Sequence, residues 1–310
     1  MRIKRNPLGF SERGVLLMEP VAEIIEEVRR GGDAAVLEFT ERFDHAELAP
    51  DQLRVDANEL EASIGVLEPD VLAGLRTAIA NVKAVAKAQV RHDRVTVELP
   101  QGHSVEILER PVRRAGIYVP GGRAPYPSTV VMGAIPARVA GVEQIAVCAP
   151  PGAGGRAHPV ILAACVLCEV TEVYRMGGAQ AIAALGFGTE TVEAVDVIVG
   201  PGNRYVQEAK RQLAGRVGID GIAGPSELTV IASSGADPEL IALDLLAQAE
   251  HGADSPVHCI SPESVLLDGV GAAIERLAPK RPTVSNAEAR LVDVADIAEA
   301  LSCEIGRAHV

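Results

Sequence analysis

The chain has 310 residues, of which 48% are hydrophobic and 23% are charged, so it is long enough for about two globular domains with ordinary cores. Acidic residues number 42 against 29 basic ones, and the formal net charge of -13 argues against a nucleic-acid partner. No apolar run approaches the roughly 18 residues of a membrane span, and polar residues interrupt any signal sequence at the N-terminus. Five cysteines are a sparse, odd set, so we expect reduced thiols and a cytoplasmic protein.

The first part of the chain favours helices and one hairpin. Apolar residues at positions 21, 24, 25 and 28 lie on one helical face, and Gly31–Gly32 predicts the end of that helix. A second, apolar pattern predicts a long helix over 71–90. Residues 95–99 and 105–108 alternate as the strands of a hairpin do.

From residue 114 onward, predicted strands alternate with predicted helices. The strands are expected at 116–119, 145–148, 172–175, 195–199 and 228–232, each followed by a helix, at 129–140, 160–167, 179–185, 205–213 and 237–252. This alternation predicts right-handed βαβ units and mostly parallel sheets that are covered on both faces. We expect residues 119–227 to form one α/β domain, inserted between the two parts of another (13–118 together with 228–310), and residues 1–12 to form an N-terminal arm.

One glycine-rich loop has the spacing of a dinucleotide-binding turn. Gly152-Ala-Gly154-Gly-Arg-Ala157 lies between a predicted strand and a predicted helix, and Glu172 follows at about the distance of a ribose-binding acid. Alanine takes the third glycine position, two prolines precede the loop, and short glycine motifs occur often by chance. We therefore favour an ordinary loop between a strand and a helix.

Cys165 and Cys168 have the spacing of half a zinc or redox site. The sequence holds no second pair, and His158 would not complete a four-coordinate zinc site. Both cysteines fall within or at the end of an apolar helix, where cysteine packs as a small hydrophobic residue. We expect a structural role for them.

Three polar loops lie near the ends of predicted strands, where parallel sheets bind ligands. They are Gly177-Gly-Ala-Gln180, Gly200-Pro-Gly-Asn203 and Gly224-Pro-Ser226-Glu. Each of them taken alone is also compatible with a plain turn. Together they favour a shared cleft.

The segment from Asp237 to Gly252 predicts a capped helix that carries polar groups near its end. Asp237 is a candidate N-cap, Pro238 suits the first helical position, and Gly252 predicts the end. Gln248 and His251 are three residues apart and share a face. They could bind a metal ion or a polar substrate, whereas a histidine at a helix C-terminus also interacts favourably with the helix dipole alone. Two ligands do not complete a zinc site, so these alternatives stay open at this point.

Taken together, these segments resemble the histidinol dehydrogenase family. The resemblance extends over almost the whole chain, to about Ala300, and includes the region 21–44. The matching motifs are Gly116–Gly122, Met132–Gly141, Gly177–Leu185, Gly200–Asn203, Gly224–Glu227 and Gln248–Gly252.

The resemblance implies a fold of two Rossmann-like parallel-sheet domains, one inserted in the other, and a homodimer. It also implies NAD-dependent, zinc-dependent oxidation of L-histidinol to L-histidine through the aldehyde, the last step of histidine biosynthesis. The site residues that it implies are Tyr118, Gln180 and Asn203 for NAD, Ser226, Gln248 and His251 for the substrate, and Gln248 and His251 for Zn²⁺.

The sequence also departs from the family pattern. The family's adjacent Glu–His pair for proton transfer, its remaining zinc ligands and its small C-terminal domain have no matching residues, because Glu250–His251 belongs to the zinc motif. We therefore expect an inactive fragment whose first domain is incomplete. Two other interpretations are a related zinc- and NAD-dependent dehydrogenase of another polar alcohol, and a non-catalytic dinucleotide-binding or interaction protein.

Overall fold

The computed structural model describes residues 1–5, 21–90, 94–121, 125–152, 154–222, 226–251, 255–284 and 286–305. Most of the expected N-terminal arm lies outside these residues, as do Gly122, Gly224 and Gly252, which belong to three of the sequence motifs.

Strands and helices alternate through most of the chain. In chain order the strands are β1 (Arg2–Arg5), β2 (Val95–Glu98), β3 (Ser104–Ile107), β4 (Arg114–Tyr118), β5 (Gln144–Ala149), β6 (Glu172–Arg175), β7 (Val197–Val199), β8 (Gly218–Ile219), β9 (Leu228–Ile231), β10 (Val257–Ser261) and β11 (Glu288–Asp293). The α-helices are α1 (Val21–Asp44), α2 (Ala57–Ala62), α3 (Pro69–Gln89), α4 (Pro127–Ala140), α5 (Pro159–Leu167), α6 (Gly178–Phe187), α7 (Arg204–Leu213), α8 (Pro238–Ala249), α9 (Ser264–Leu277) and α10 (Ile297–Ile305). None of these helices is both long and apolar enough to cross a membrane.

The larger of two compact units comprises residues 17–224 and contains a five-stranded parallel sheet. Its strand order is β6-β5-β4-β7-β8, so the order reverses between β4 and β7. Alternate residues of β5 enter two cores: Ile145 and Val147 pack with α4 and α5, whereas Ala146 and Cys148 pack with α1, α6 and α7. Helices therefore cover both faces of this sheet, as the sequence predicts for buried parallel strands.

The second unit comprises residues 1–16 and 225–310 and contains a four-stranded parallel sheet in the order β1-β11-β10-β9. Leu245, Leu246 and Leu267 of α8 and α9 are fully buried in the main core of this unit. Ala300 of α10 packs with residues of β10 and β11 in a smaller core. Strand β1 was not predicted, because its pairing partner β11 lies far away in the sequence.

The predicted elements of both units are confirmed, with bounds that shift by a few residues. Strand β6 matches the predicted 172–175, and α7 begins one residue before the predicted 205–213. The predicted helix end at Gly31–Gly32 is confirmed, because Gly32 leaves the helical conformation with a φ of 56° and a ψ of -137°, and a second helical segment follows it within α1.

The division of the chain differs from the expected one. We expected residues 13–118 to join 228–310, but residues 17–118 lie in the same compact unit as 119–224. Strand β4 hydrogen-bonds to both β5 and β7, and α1 packs against α6. A boundary after Tyr118 would therefore remove the central strand from its own sheet. Of the expected arm 1–12, the described residues 2–5 form β1 of the other sheet.

Candidate functional site

A cavity of about 670 Å³ lies at the carboxyl ends of the five-stranded sheet. Its lining includes Tyr118 at the end of β4, Pro150 after β5, Gln180 after β6 and Asn203 after β7. Because the strand order reverses between β4 and β7, this is the crevice where open parallel sheets bind ligands. The structure therefore brings together the three residues for which the resemblance implies contact with NAD.

Gln180 is the most informative side chain of this cavity. It is 1% exposed, and neither its Oε1 nor its Nε2 has a hydrogen-bond partner among the residues that the structure describes. A buried polar group without a partner costs about 1–3 kcal/mol. Gly178 permits this placement with a φ of 61°, and a Cβ at that position would lie 2.5 Å from Gln180 Oε1. Hydrogen bonds between this amide and a ligand in the cavity would offset the free-energy cost of burying its two polar atoms.

Tyr118 supplies a second polar group beside α6. Its hydroxyl oxygen accepts a hydrogen bond from the backbone N–H of Gly178 at 3.2 Å. The ring is almost completely buried, and this burial raises the pKa of Tyr118 well above its ordinary value. The hydroxyl therefore keeps its proton at neutral pH and can donate it in a hydrogen bond to a ligand.

Asn203 begins α7 as its N-cap. Its Oδ1 accepts hydrogen bonds from the backbone N–H groups of Tyr205 at 3.0 Å and Val206 at 3.1 Å. The cap accounts for asparagine at this position, since Asn is among the preferred N-cap residues. Because Oδ1 accepts the two cap bonds, Nδ2 of Asn203 is the side-chain atom that can donate to a bound ligand.

The loop that precedes Asn203 is fixed by an ion pair that the sequence analysis missed. The backbone N–H of Gly200 donates to Asp220 Oδ2 at 2.8 Å, while Lys210 donates to the Gly200 carbonyl and, at 2.8 Å, to Asp220 Oδ1. Gly200 has a φ of 114°, and a Cβ there would lie 2.2 Å from the Tyr118 carbonyl oxygen. Only glycine fits this close approach to β4, and Asp220 and Lys210 fix its position by binding its backbone N–H and carbonyl groups.

Asp44 is a second cavity residue that sequence reasoning did not single out. It ends α1 and lines the cavity, and its Oδ2 is buried with no hydrogen-bond partner in the described part of the chain. Burial raises the pKa of Asp44 to about 6, and the charge of the neighbouring His45 opposes this rise. The available sequence signal was its place at the end of the region 21–44, which resembles the family.

The other unit brings Ser226 and Gln248 together. Asp237 caps α8 as predicted, with its carboxylate accepting from the Glu239 N–H at 2.8 Å. Near the end of this helix, Gln248 Nε2 donates to the Ser226 hydroxyl at 2.8 Å and to its carbonyl at 3.1 Å. These bonds use the nitrogen of the amide and leave Oε1 for a metal ion or a substrate.

His251 follows the end of α8, and its side chain is exposed. Its backbone N–H donates to the Gln248 carbonyl at 3.1 Å, so the two residues occupy one turn. Within the described residues there is no group of three or more His, Cys, Asp and Glu side chains that could hold a metal ion. The amide oxygen of Gln248 and the imidazole of His251 are suitable donors, but they are two of the four that a zinc site needs.

The weaker sequence signals have structural explanations. Glu172 begins β6, at the end of the sheet away from the cavity, and forms an ion pair with the buried Arg114. The glycine loop closes on itself, because the Gly152 N–H donates to the Arg156 carbonyl at 2.9 Å. Cys168 is a buried free thiol whose pKa is raised by burial to about 12.

Comparisons with known proteins show which family the chain resembles. A profile of the family described as histidinol dehydrogenase matches residues 12–304. Histidinol dehydrogenases of Parasynechococcus marenigrum and Gluconobacter oxydans are 48% and 44% identical over 87% and 86% of this chain. The chain spans 61% of the length of each of these two relatives. The crystal structure of histidinol dehydrogenase from Elizabethkingia anophelis is 34% identical and superposes with a TM-score of 0.86, over 98% of this chain and 73% of that one. The chain belongs to the histidinol dehydrogenase family, a family of oxidoreductases of histidine biosynthesis.

Proposed function

We propose that this chain supplies the NAD site, and part of the zinc and substrate site, of an enzyme that oxidises L-histidinol to L-histidine. The observation that carries the proposal is the buried Gln180 amide, which lies without a protein partner in the cavity at the carboxyl ends of the sheet. The chain spans 61% of the length of its first two relatives, so we propose for it the cofactor-binding part of their activity.

The cavity residues suit a dinucleotide. The side chain of Gln180 offers a donor and an acceptor, and the Tyr118 hydroxyl offers a donor. The first residues of α6, Gly178, Ala179 and Gln180, line the cavity, and N–H groups in the first turn of a helix favour the phosphates of a bound nucleotide. NAD, when bound, accepts the hydride, while these residues bind and orient it.

The Ser226–Gln248 pair suits the metal and substrate part of the reaction. Gln248 Oε1 and the His251 imidazole would hold Zn²⁺, which would orient the alcohol and favour its ionisation. Ser226 orients the Gln248 amide, because its hydroxyl and carbonyl both accept from Nε2. Rotation of the amide would place Oε1 against the Ser226 carbonyl, so that two acceptors would face each other, and the oxygen therefore stays on the side away from Ser226.

We propose that the 310-residue chain, tested by itself, binds NAD without oxidising histidinol. Its sequence contains one adjacent Glu–His pair, Glu250–His251, and the histidine of this pair is the proposed zinc ligand. No second such pair is present to transfer protons to and from the alcohol and the aldehyde.

We also propose that the protein works as a homodimer. Strands β2 and β3 pair Val95 with Ile107 and Val97 with Val105, which places four apolar side chains on one face of the hairpin. These side chains are 40–57% exposed. An isolated two-stranded hairpin is marginal in water, so a partner that covers this face would stabilise it.

The five free cysteines, four of them buried, support the proposal of a reducing, cytoplasmic location.

Calorimetric titration of the purified chain with NAD tests the cofactor proposal. We expect saturable binding, and at least about tenfold weaker binding for Gln180→Leu, which loses both hydrogen-bonding groups. The matched control is Gln89→Leu, at the exposed end of α3, which should bind as the unaltered chain does. Absence of NAD binding by the unaltered chain would contradict the cofactor proposal. Zinc-dependent formation of NADH from histidinol by this chain would contradict its proposed inactivity.

A further inference from the structure

Asp44 occupies a position where a carboxylate is unfavourable twice over. It is the last residue of α1, where the helix dipole repels negative charge. Its Oδ2 is also withdrawn from water without a hydrogen-bond donor in the described part of the chain. Desolvation of a carboxylate without a partner destabilises the fold. Local rules broken in this way are expected at functional sites, where the ligand supplies the missing interaction.

The surroundings of Asp44 show which kind of partner is missing. A Cβ added to Gly177 would lie 3.3 Å from Asp44 Oδ2, so this oxygen faces the turn that leads from β6 into α6 and to Gln180. The negative charge of Asp44 also raises the pKa of Tyr118. The described residues that line the cavity include no lysine, arginine or histidine. The described residues thus leave this oxygen without a donor, which a ligand in the cavity can supply.

Resting on the proposed NAD site, we propose that Asp44 binds the paired hydroxyls of one ribose of the dinucleotide. Two adjacent hydroxyl donors match the acceptors of a carboxylate, and hydrogen bonds to an ionised group are stronger than neutral ones. Nucleotide sites of other parallel sheets use an acidic residue for a ribose in the same way. Glu172 stands at the sequence distance of such an acid but is bound to Arg114, whereas Asp44 lies in the cavity with an unpaired oxygen.

The test is calorimetric titration of the full 310-residue chain with NAD, AMP and nicotinamide mononucleotide. The variants are Asp44→Asn, which keeps the shape and removes the charge, and Asp44→Ser, which also shortens the side chain. Glu38→Gln is the matched control, because Glu38 is exposed on the same helix and does not line the cavity. Circular dichroism and the melting temperature report on the fold of each variant.

We expect both Asp44 variants to bind NAD at least about tenfold more weakly than the unaltered chain and the Glu38→Gln control. The half-nucleotide whose affinity falls identifies which ribose Asp44 binds. NAD affinities within twofold of the unaltered chain, in variants that remain folded, would overturn the inference and leave the proposed function intact. If the unaltered chain does not bind NAD, the proposed cofactor itself is wrong, and the inference falls with it.

Discussion

Replacing Glu172 by glutamine should destabilise the larger unit and leave nucleotide binding intact. Glu172 accepts hydrogen bonds from the Arg114 guanidinium, one of them at 2.9 Å, and from the Tyr174 hydroxyl. The Arg114 side chain is 2% exposed and that of Glu172 is 18% exposed, so the pair is largely shielded from water. Glu172→Gln preserves the shape of the side chain and removes the charge that faces the guanidinium.

The size of the effect follows from this burial. Removing one partner of a buried ion pair costs about 3–5 kcal/mol, because the other charge stays buried without compensation. The amide oxygen of glutamine keeps one acceptor, which is worth about 1 kcal/mol. Arg114 also retains its hydrogen bond to the Glu193 carbonyl at 3.3 Å. We therefore expect a loss of about 2–4 kcal/mol in the free energy of unfolding, a large part of a typical total of about 5–15 kcal/mol.

Urea unfolding followed by far-ultraviolet circular dichroism measures this loss, since the chain has no tryptophan. Burial opposes ionisation of Glu172, but hydrogen bonds from Arg114 and Tyr174 and the charge of Arg114 hold its pKa below the ordinary value. The stabilisation is therefore present above about pH 4 and is lost as the pH falls through the lowered pKa, where the variant should approach the unaltered chain.

The control for this prediction is Glu193→Gln, which removes the exposed partner of Arg113. Those two side chains are 56% and 52% exposed, and such surface pairs contribute at most about 1 kcal/mol. A loss of less than about 1 kcal/mol for Glu172→Gln would refute the reasoning from burial. If a stable Glu172→Gln protein bound NAD more weakly, the result would instead support the interpretation that Glu172 binds a ribose.

Three further predictions concern the cavity, its loop and the hairpin. Lys210→Met should lower the free energy of unfolding by about 2–4 kcal/mol and weaken NAD binding, because it removes the buried cation that binds the Gly200 carbonyl. Urea unfolding and NAD titrations that match those of the unaltered chain would contradict this prediction. Asp44→Asn should raise the free energy of unfolding above about pH 6 by about 1–3 kcal/mol, because the raised pKa of about 6 makes the ionised carboxylate unfavourable in the folded state; this range is reduced for partial solvation. The gain should vanish below about pH 4, where the carboxyl group is protonated in both states. A gain in urea unfolding that does not depend on pH would count against this prediction. Val97→Lys should leave the fold intact and shift the proposed dimer toward monomer in sedimentation velocity, whereas an unchanged sedimentation coefficient would exclude this face of the hairpin from the interface.

Local patterns predicted most of the secondary structure. The buried face of α1, the N-cap at Asp237 and the alternation of strands and helices after residue 114 depend on neighbours within a few residues, and such signals can be read directly from the chain. Strand β1 could not be predicted, because its four residues pair with a strand almost the whole chain length away. The domain division was wrong for the same reason, since the packing of α1 against α6 leaves no local pattern.

The sequence by itself determined the family, the classes of element and the candidate residues Tyr118, Gln180 and Asn203, because ordered motifs identify positions along a chain. Only the tertiary structure decided which acid enters the cavity. Glu172 has the spacing of a ribose-binding acid, yet it pairs with Arg114, 58 residues earlier in the chain. Asp44 has no such spacing, yet the packing of α1 brings its unpaired oxygen to the same cavity as Gln180. The net charge of a chain is fixed by its composition, but the role of each carboxylate depends on which groups the fold places around it.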